Sequence, residues 1–138
     1  MNQEFLSVAG AKALGEKKDP RAVNPLVTTL KEDVFWDARL AAEEVLVSIG
    51  APSVAPLVQL LKEDKDCFVR RRASRALKEM KEGCDPKALK NAVQQDTDCC
   101  VRRFAAKGLA EIKDPFVTEF LDDAMNKKNP EIISAAYI

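Results

Sequence analysis

Histidine is absent from all 138 residues. Its absence removes imidazole acid–base catalysis, Ser/His and Cys/His nucleophile pairs, and any metal centre that needs an imidazole ligand. Net charge is missing too: 22 Lys and Arg balance 22 Asp and Glu, leaving no cationic surplus for a phosphate backbone. The four cysteines, Cys67, Cys84, Cys99 and Cys100, form no CxxC pair, and Met1 to Phe5 lacks the basic start of a signal peptide. Reduced thiols and a cytoplasmic location are therefore expected. No long apolar run occurs either. The longest charge-free stretch, Val45 to Leu61, is broken by Gly50, Pro52 and Pro56, so no membrane span is expected. No segment alternates polar and apolar residues with period two, which excludes strands from the expectation. What remains, 46% hydrophobic and 32% charged residues, suffices for a folded core.

The sequence repeats itself. Val23-Asn24-Pro25-Leu26-Val27 recurs as Val54-Ala55-Pro56-Leu57-Val58 at an offset of 31 residues. Asp66-Cys67-Phe68-Val69-Arg70-Arg71 recurs as Asp98-Cys99-Cys100-Val101-Arg102-Arg103 at 32, and Ala38-Arg39-Leu40-Ala41-Ala42 aligns with Val69-Arg70-Arg71-Arg72-Ala73 at 31. Each unit carries two apolar stripes with the i, i+3, i+4, i+7 spacing of an amphipathic helix. The first stripe reads Val23, Leu26, Val27, Leu30, then Val54, Leu57, Val58, Leu61, with a weaker copy at Leu89, Ala92, Val93 and another at Val117, Phe120, Leu121, Ala124. The second reads Ala42, Val45, Leu46, Ile49, then Ala73, Ala76, Leu77, Met80, then Ala105, Gly108, Leu109, Ile112. Small residues early in the second stripe let neighbouring helices approach closely. Pro20, Pro52, Pro86 and Pro115 stand just before first-stripe helices, where a missing N–H is tolerated, and Asp19, Asp85 and Asp114 are placed to cap three of them. The short links Lys31 to Asp37, Lys62 to Asp66 and Gln95 to Asp98 force antiparallel pairs, and one pair cannot bury its own stripes without a neighbour.

These residues carry a family resemblance. Asp66-Cys67-Phe68-Val69-Arg70-Arg71-Arg72-Ala73 with Ala76-Leu77, its copy from Asp98 to Ala105, and Gly50-Ala51-Pro52-Ser53-Val54-Ala55-Pro56-Leu57-Val58 resemble short HEAT-like repeats of the phycobilisome lyase-like type. The resemblance implies an all-α, right-handed α-α superhelix. It is expected as a single domain over 1–138, with a leading helix at about 4–15, helix pairs at about 20–49, 52–81 and 86–113, and a partial pair at 115–138. It also implies that Arg39, Arg70 and Arg102, equivalent early in the second helices, form a structural ladder with loop aspartates, for which Asp66 and Asp98 fit. Second helices in such solenoids line the concave surface.

From Cys67 to Lys78 there are five cations and no acid. Arg71, Arg72 and Arg75 lie off the apolar stripe and are expected to be exposed; with Arg103 and Lys107 of the next repeat, and Trp36 as an aromatic anchor, they form the candidate partner-binding set. Phe104 is the aromatic residue nearest this face able to stack on a base. Cys67 and Cys99 share a repeat position near a helix N-terminus, but Cys99-Cys100 adjacency is poor chelate spacing, so packing is expected, with no metal, cofactor or catalytic residue.

The resulting expectation is a non-catalytic scaffold that presents a concave helical surface to another protein. The alternatives are a nucleic-acid-binding module using the basic face and an accessory subunit of a bilin lyase-like complex. Iron-dependent hydroxylases built of similar repeats need histidine ligands that this chain lacks. The apolar ends, Phe5 to Leu14 and Ile132 to Ile138, are expected either to self-associate or to continue into further repeats.

Overall fold

The computed structural model describes residues 8–32, 35–80, 86–112 and 115–132. These residues build helices and turns, with no strand among them. The order is α1 (Val8–Lys17), a 3₁₀ turn (Pro20–Ala22), α2 (Val23–Glu32), α3 (Trp36–Ile49), α4 (Ala51–Glu63), α5 (Cys67–Glu79), α6 (Pro86–Gln95), α7 (Cys99–Glu111) and α8 (Pro115–Asn126). A last helical turn starts at residue 130. None of the described helices is long and apolar enough to cross a membrane. Of the two expected end clusters, Phe5, Leu6 and residues 133–138 lie outside the described residues.

Local chemistry sets the helix starts. Asp19 accepts from the Arg21 N–H at 2.9 Å, capping the turn that Pro20 opens. Asp66 accepts from the Phe68 N–H at 2.9 Å, and Asp98 from the Val101 N–H at 3.2 Å, capping α5 and α7. α3 departs from this pattern, because Phe35 occupies the capping position and supplies no side-chain bond. Gly50 joins α3 to α4 without a loop: its φ of +84° lies in the left-handed region, where a side chain would be strained.

The helices form two layers of an all-α solenoid. Within each unit α2 packs on α3, α4 on α5 and α6 on α7. Across units the second helices pack side by side in the order α1, α3, α5, α7, and α5 and α7 are the most intimate pair. The first helices α2, α4 and α6 touch one another far less, so each pair is a wedge whose narrow side is the second helix. Small residues make the narrow side possible. A Cβ on Gly108 would lie 3.1 Å from Leu89 Cδ1 and 3.3 Å from the Lys78 Cα, and one on Gly15 would lie 2.9 Å from Val45 Cγ1. Between the layers runs one continuous apolar core from Ala11 to Ile132. Its centre is a file of fully buried leucines, Leu26, Leu30, Leu46, Leu57, Leu77, Leu89 and Leu109. Burying each contributes about 1.5–3 kcal/mol. Val27, Val54, Val58 and Ile112, expected on the stripes, are half-buried at its rim.

Candidate interaction surface

The loops that lead into α5 and α7 share an Asp-x-Asp pattern, Asp64-Lys65-Asp66 and Asp96-Thr97-Asp98. In each, the first aspartate accepts from the N–H of the second at 2.9 Å, while the second caps its helix. The loop is thereby fixed, and one carboxylate is left facing a neighbouring repeat. Arg70 reads this arrangement in both directions. Its Nη1 donates to the Asp64 and Lys65 carbonyls at 3.0 and 3.1 Å, and its Nε and Nη2 donate to Asp96 at 3.1 and 3.3 Å. Arg102 repeats the motif, donating to the Asp96 carbonyl at 2.9 Å and to Glu131 at 3.0 Å.

The ladder acids are thus Asp96 and Glu131, which corrects the placement of Asp66 and Asp98 in that role. Asp96 and Asp98 both meet the previous repeat, Asp96 taking Arg70 while Asp98 caps α7 and takes Arg71, so the ladder arginine is left to the aspartate two residues before the cap. Arg39, the first-repeat equivalent, lies within electrostatic reach of Arg72. The Asp-x-Asp spacing was the available sequence signal for Asp64 and Asp96. Nothing in the repeat pattern marked Glu43 or Glu131.

Arg71, Arg72 and Arg75 are not the exposed face expected of them. Each is half-buried and committed to a neighbouring unit. Arg71 reaches forward to Asp98, Nε to Oδ2 at 2.6 Å and Nη2 to Oδ1 at 2.8 Å. This pairing holds the Asp98 carboxyl below the usual carboxylate range and raises the Arg71 guanidinium. Arg75 reaches back to Glu43 on α3, with bonds of 2.8, 3.0 and 3.1 Å. Glu43 is only 6% exposed, and burial raises its carboxyl although Arg75 opposes the shift. Arg72 donates to the Leu30 carbonyl at the end of α2, at 3.4 Å, and burial, with Arg39 next, lowers its guanidinium. The physical reason is position: α5 is flanked by units on both sides, and long cationic side chains leaving its rim reach acceptors on the neighbouring units, two carboxylates and one carbonyl.

The third repeat keeps the cations and loses the acids. Arg103 and Lys107 occupy on α7 the register of Arg71 and Arg75 on α5, yet neither has a carboxylate within 4.0 Å among the described residues. Arg103 is exposed and Lys107 half-buried. Phe104 is packed rather than offered, with Lys78 Nζ 5.8 Å from its ring centroid. Three of the four exposed large apolar residues among those described sit at the edge where first helices hand over to second ones, Trp36 at 68% exposed, Phe35 at 67% and Phe68 at 55%, and the fourth, Phe116, opens α8. Phe68, a member of the repeated Asp66 to Ala73 motif, has the Arg71 guanidinium 4.8 Å above its ring centroid.

The HEAT repeats family profile matches residues 6–78, more than half of the chain. The chain is a HEAT-repeat protein. The match ends inside α5, and the copy of the motif from Asp96 to Lys107 lies beyond it, in the loop after α6 and in α7. No curated protein matches the sequence. HEAT repeats generally serve as protein-interaction scaffolds, and the family is typically non-catalytic. The hollows on this array are open grooves: one of about 1100 Å³ runs between α2 and α4, and a smaller one of about 250 Å³ lies beside Arg70 and Asp96.

Proposed function

We propose that this HEAT-repeat chain is a non-catalytic scaffold that holds a protein partner against its inner, second-helix face. The observation that carries the reading is the exposed aromatic edge of Phe35, Trp36 and Phe68. Aromatic surface of this size left in water is the usual anchor of an interface. Arg103 and Lys107, on α7 of the same second-helix layer, supply charge that steers an acidic partner. Arg71, Arg72 and Arg75 act through the array, by holding α3, α5 and α7 in register, rather than by touching the partner. The short repeat supports the phycobilisome lyase-like subtype as a statement about repeat form. Nucleic acid is the weaker reading, because the arginines that would grip phosphate are engaged inside the array.

The test is capture of partners from source lysate on the immobilised chain, with and without nuclease. Wild type retains one stoichiometric protein regardless of nuclease; a Trp36→Ala/Phe68→Ala variant with unchanged circular dichroism loses it, and Arg103→Ser/Lys107→Ser weakens it in a salt-dependent way. Recovery that vanishes with nuclease, together with salt-sensitive DNA binding, would overturn the protein-scaffold reading.

A further inference from the structure

Cys99 and Cys100 open α7 directly after the capping residue Asp98. On spacing alone they are poor chelators, since consecutive side chains on a helix diverge. The extended backbone of Asp98, φ −92° and ψ 124°, changes this by folding its carboxylate back over the first turn. One carboxylate oxygen and the two Sγ atoms then lie within 4.8 Å of one another. Two thiolates that share one tetrahedral zinc ion, each at about 2.3 Å, stand about 3.8 Å apart. Side-chain rotations that draw the three donors about 1 Å closer therefore close the set around an ion. Cys99 is exposed and Cys100 half-buried, so an ion arrives from solvent without opening the core.

We propose that Asp98, Cys99 and Cys100 form a binding site for a thiophilic divalent ion of the zinc type. Paired thiolates select soft or borderline ions, and the added carboxylate favours a divalent one over a monovalent one. Three protein ligands leave a fourth position for water or a group from elsewhere. Binding releases one proton from each thiol to solvent as the two metal–sulfur bonds form. It also has a competitor. Arg71 holds both carboxylate oxygens of Asp98 and lies within electrostatic reach of Cys100 and Cys67, so the ion must displace at least one of its bonds. The site is thus coupled to the clamp between α5 and α7. This inference is independent of the scaffold reading.

Cobalt(II) serves as the probe, titrated into the reduced full chain without oxygen at neutral pH and then displaced by zinc. One equivalent should produce thiolate-to-cobalt charge-transfer absorption. Cys99→Ser and Cys100→Ser should each abolish it with circular dichroism unchanged, while Cys67→Ser and Cys84→Ser leave it intact. Asp98→Asn, which keeps a capping side chain, should weaken affinity about tenfold. Arg71→Gln should tighten it several-fold, because it frees the carboxylate and removes a cation beside the ion. Absence of the band in wild type, its survival in both Cys99→Ser and Cys100→Ser, its loss in Cys84→Ser, or weaker binding in Arg71→Gln would each overturn the site.

Discussion

At the scale of the residue, Glu43 and Arg75 show how a charge is kept inside a helical stack. Glu43 has its carboxylate buried between α3 and α5, and three hydrogen bonds from Arg75 balance it. Removing the arginine alone leaves the acid unpaired. Arg75→Met should destabilise the chain by about 1–3 kcal/mol, and Arg75→Met with Glu43→Gln should recover most of the loss, as a thermal melt of the single and double variants will show. The same acid gives a pH signature. Its carboxyl is raised above the ordinary 4.5, so the folded chain holds a proton that the unfolded chain gives up. Stability contributed by Glu43 therefore falls as pH rises through and above that value. Melts of Glu43→Gln should gain on wild type between pH 4 and pH 7, and a constant difference would contradict the shift. Ser53 offers a simpler case: its buried hydroxyl has no hydrogen-bond partner among the described residues, so Ser53→Ala should raise stability by about 1 kcal/mol in urea titration.

At the scale of the element, α7 depends on close approach. Glycine inside a helix costs about 1 kcal/mol relative to alanine, so Gly108→Ala would ordinarily stabilise. Here the new methyl would press on the Lys78 Cα, which cannot rotate away, and on Leu89 Cδ1. Overpacking of this kind costs about 1–3 kcal/mol, so the net effect should be destabilising, visible as a lower urea midpoint. Leu77 tests the helix register more severely. It is fully buried on α5, and Leu77→Asp would place an unpaired carboxylate in the core. The change should remove several kcal/mol of a total near 5–15, and an unchanged melt by circular dichroism would refute the register.

At the scale of the whole molecule, α5 is the keystone. Arg72 and Arg75 reach back to α2 and α3, while Arg70 and Arg71 reach forward to the loop before α7. Solenoid stability is approximately a sum over units and their interfaces, so these clamps set how cooperatively the halves unfold. Arg70→Gln/Arg71→Gln should lower amide exchange protection in α6 to α8 while leaving α2 to α4 near wild type. Uniform loss of protection across all helices would show that the leucine core alone couples the units.

The sequence by itself determined the repeat, the two stripes and the caps, because these are local patterns: helical periodicity and a capping aspartate act over a few residues and recur with the unit. It therefore placed Leu26, Leu57, Leu77 and Leu109 in the core and Asp19 at a helix start, while the other two expected caps, Asp85 and Asp114, lie outside the described residues and the capping by Asp66 and Asp98 emerged only in the structure. It did not decide which acid each arginine meets. Arg70 finds Asp96 at a separation of 26 residues, Arg71 finds Asp98 at 27 and Arg75 finds Glu43 at 32. Those choices depend on how closely α3, α5 and α7 approach, which small residues permit but no local spacing encodes. The same holds for exposure. A charge run reads as a solvated face until neighbours are stacked on both sides of it, and no local spacing shows that Phe35 and Trp36 stand in water at the start of α3. Tertiary structure turned the basic run inward into clamps and the aromatic edge outward, because side-chain surroundings are set by the neighbouring unit.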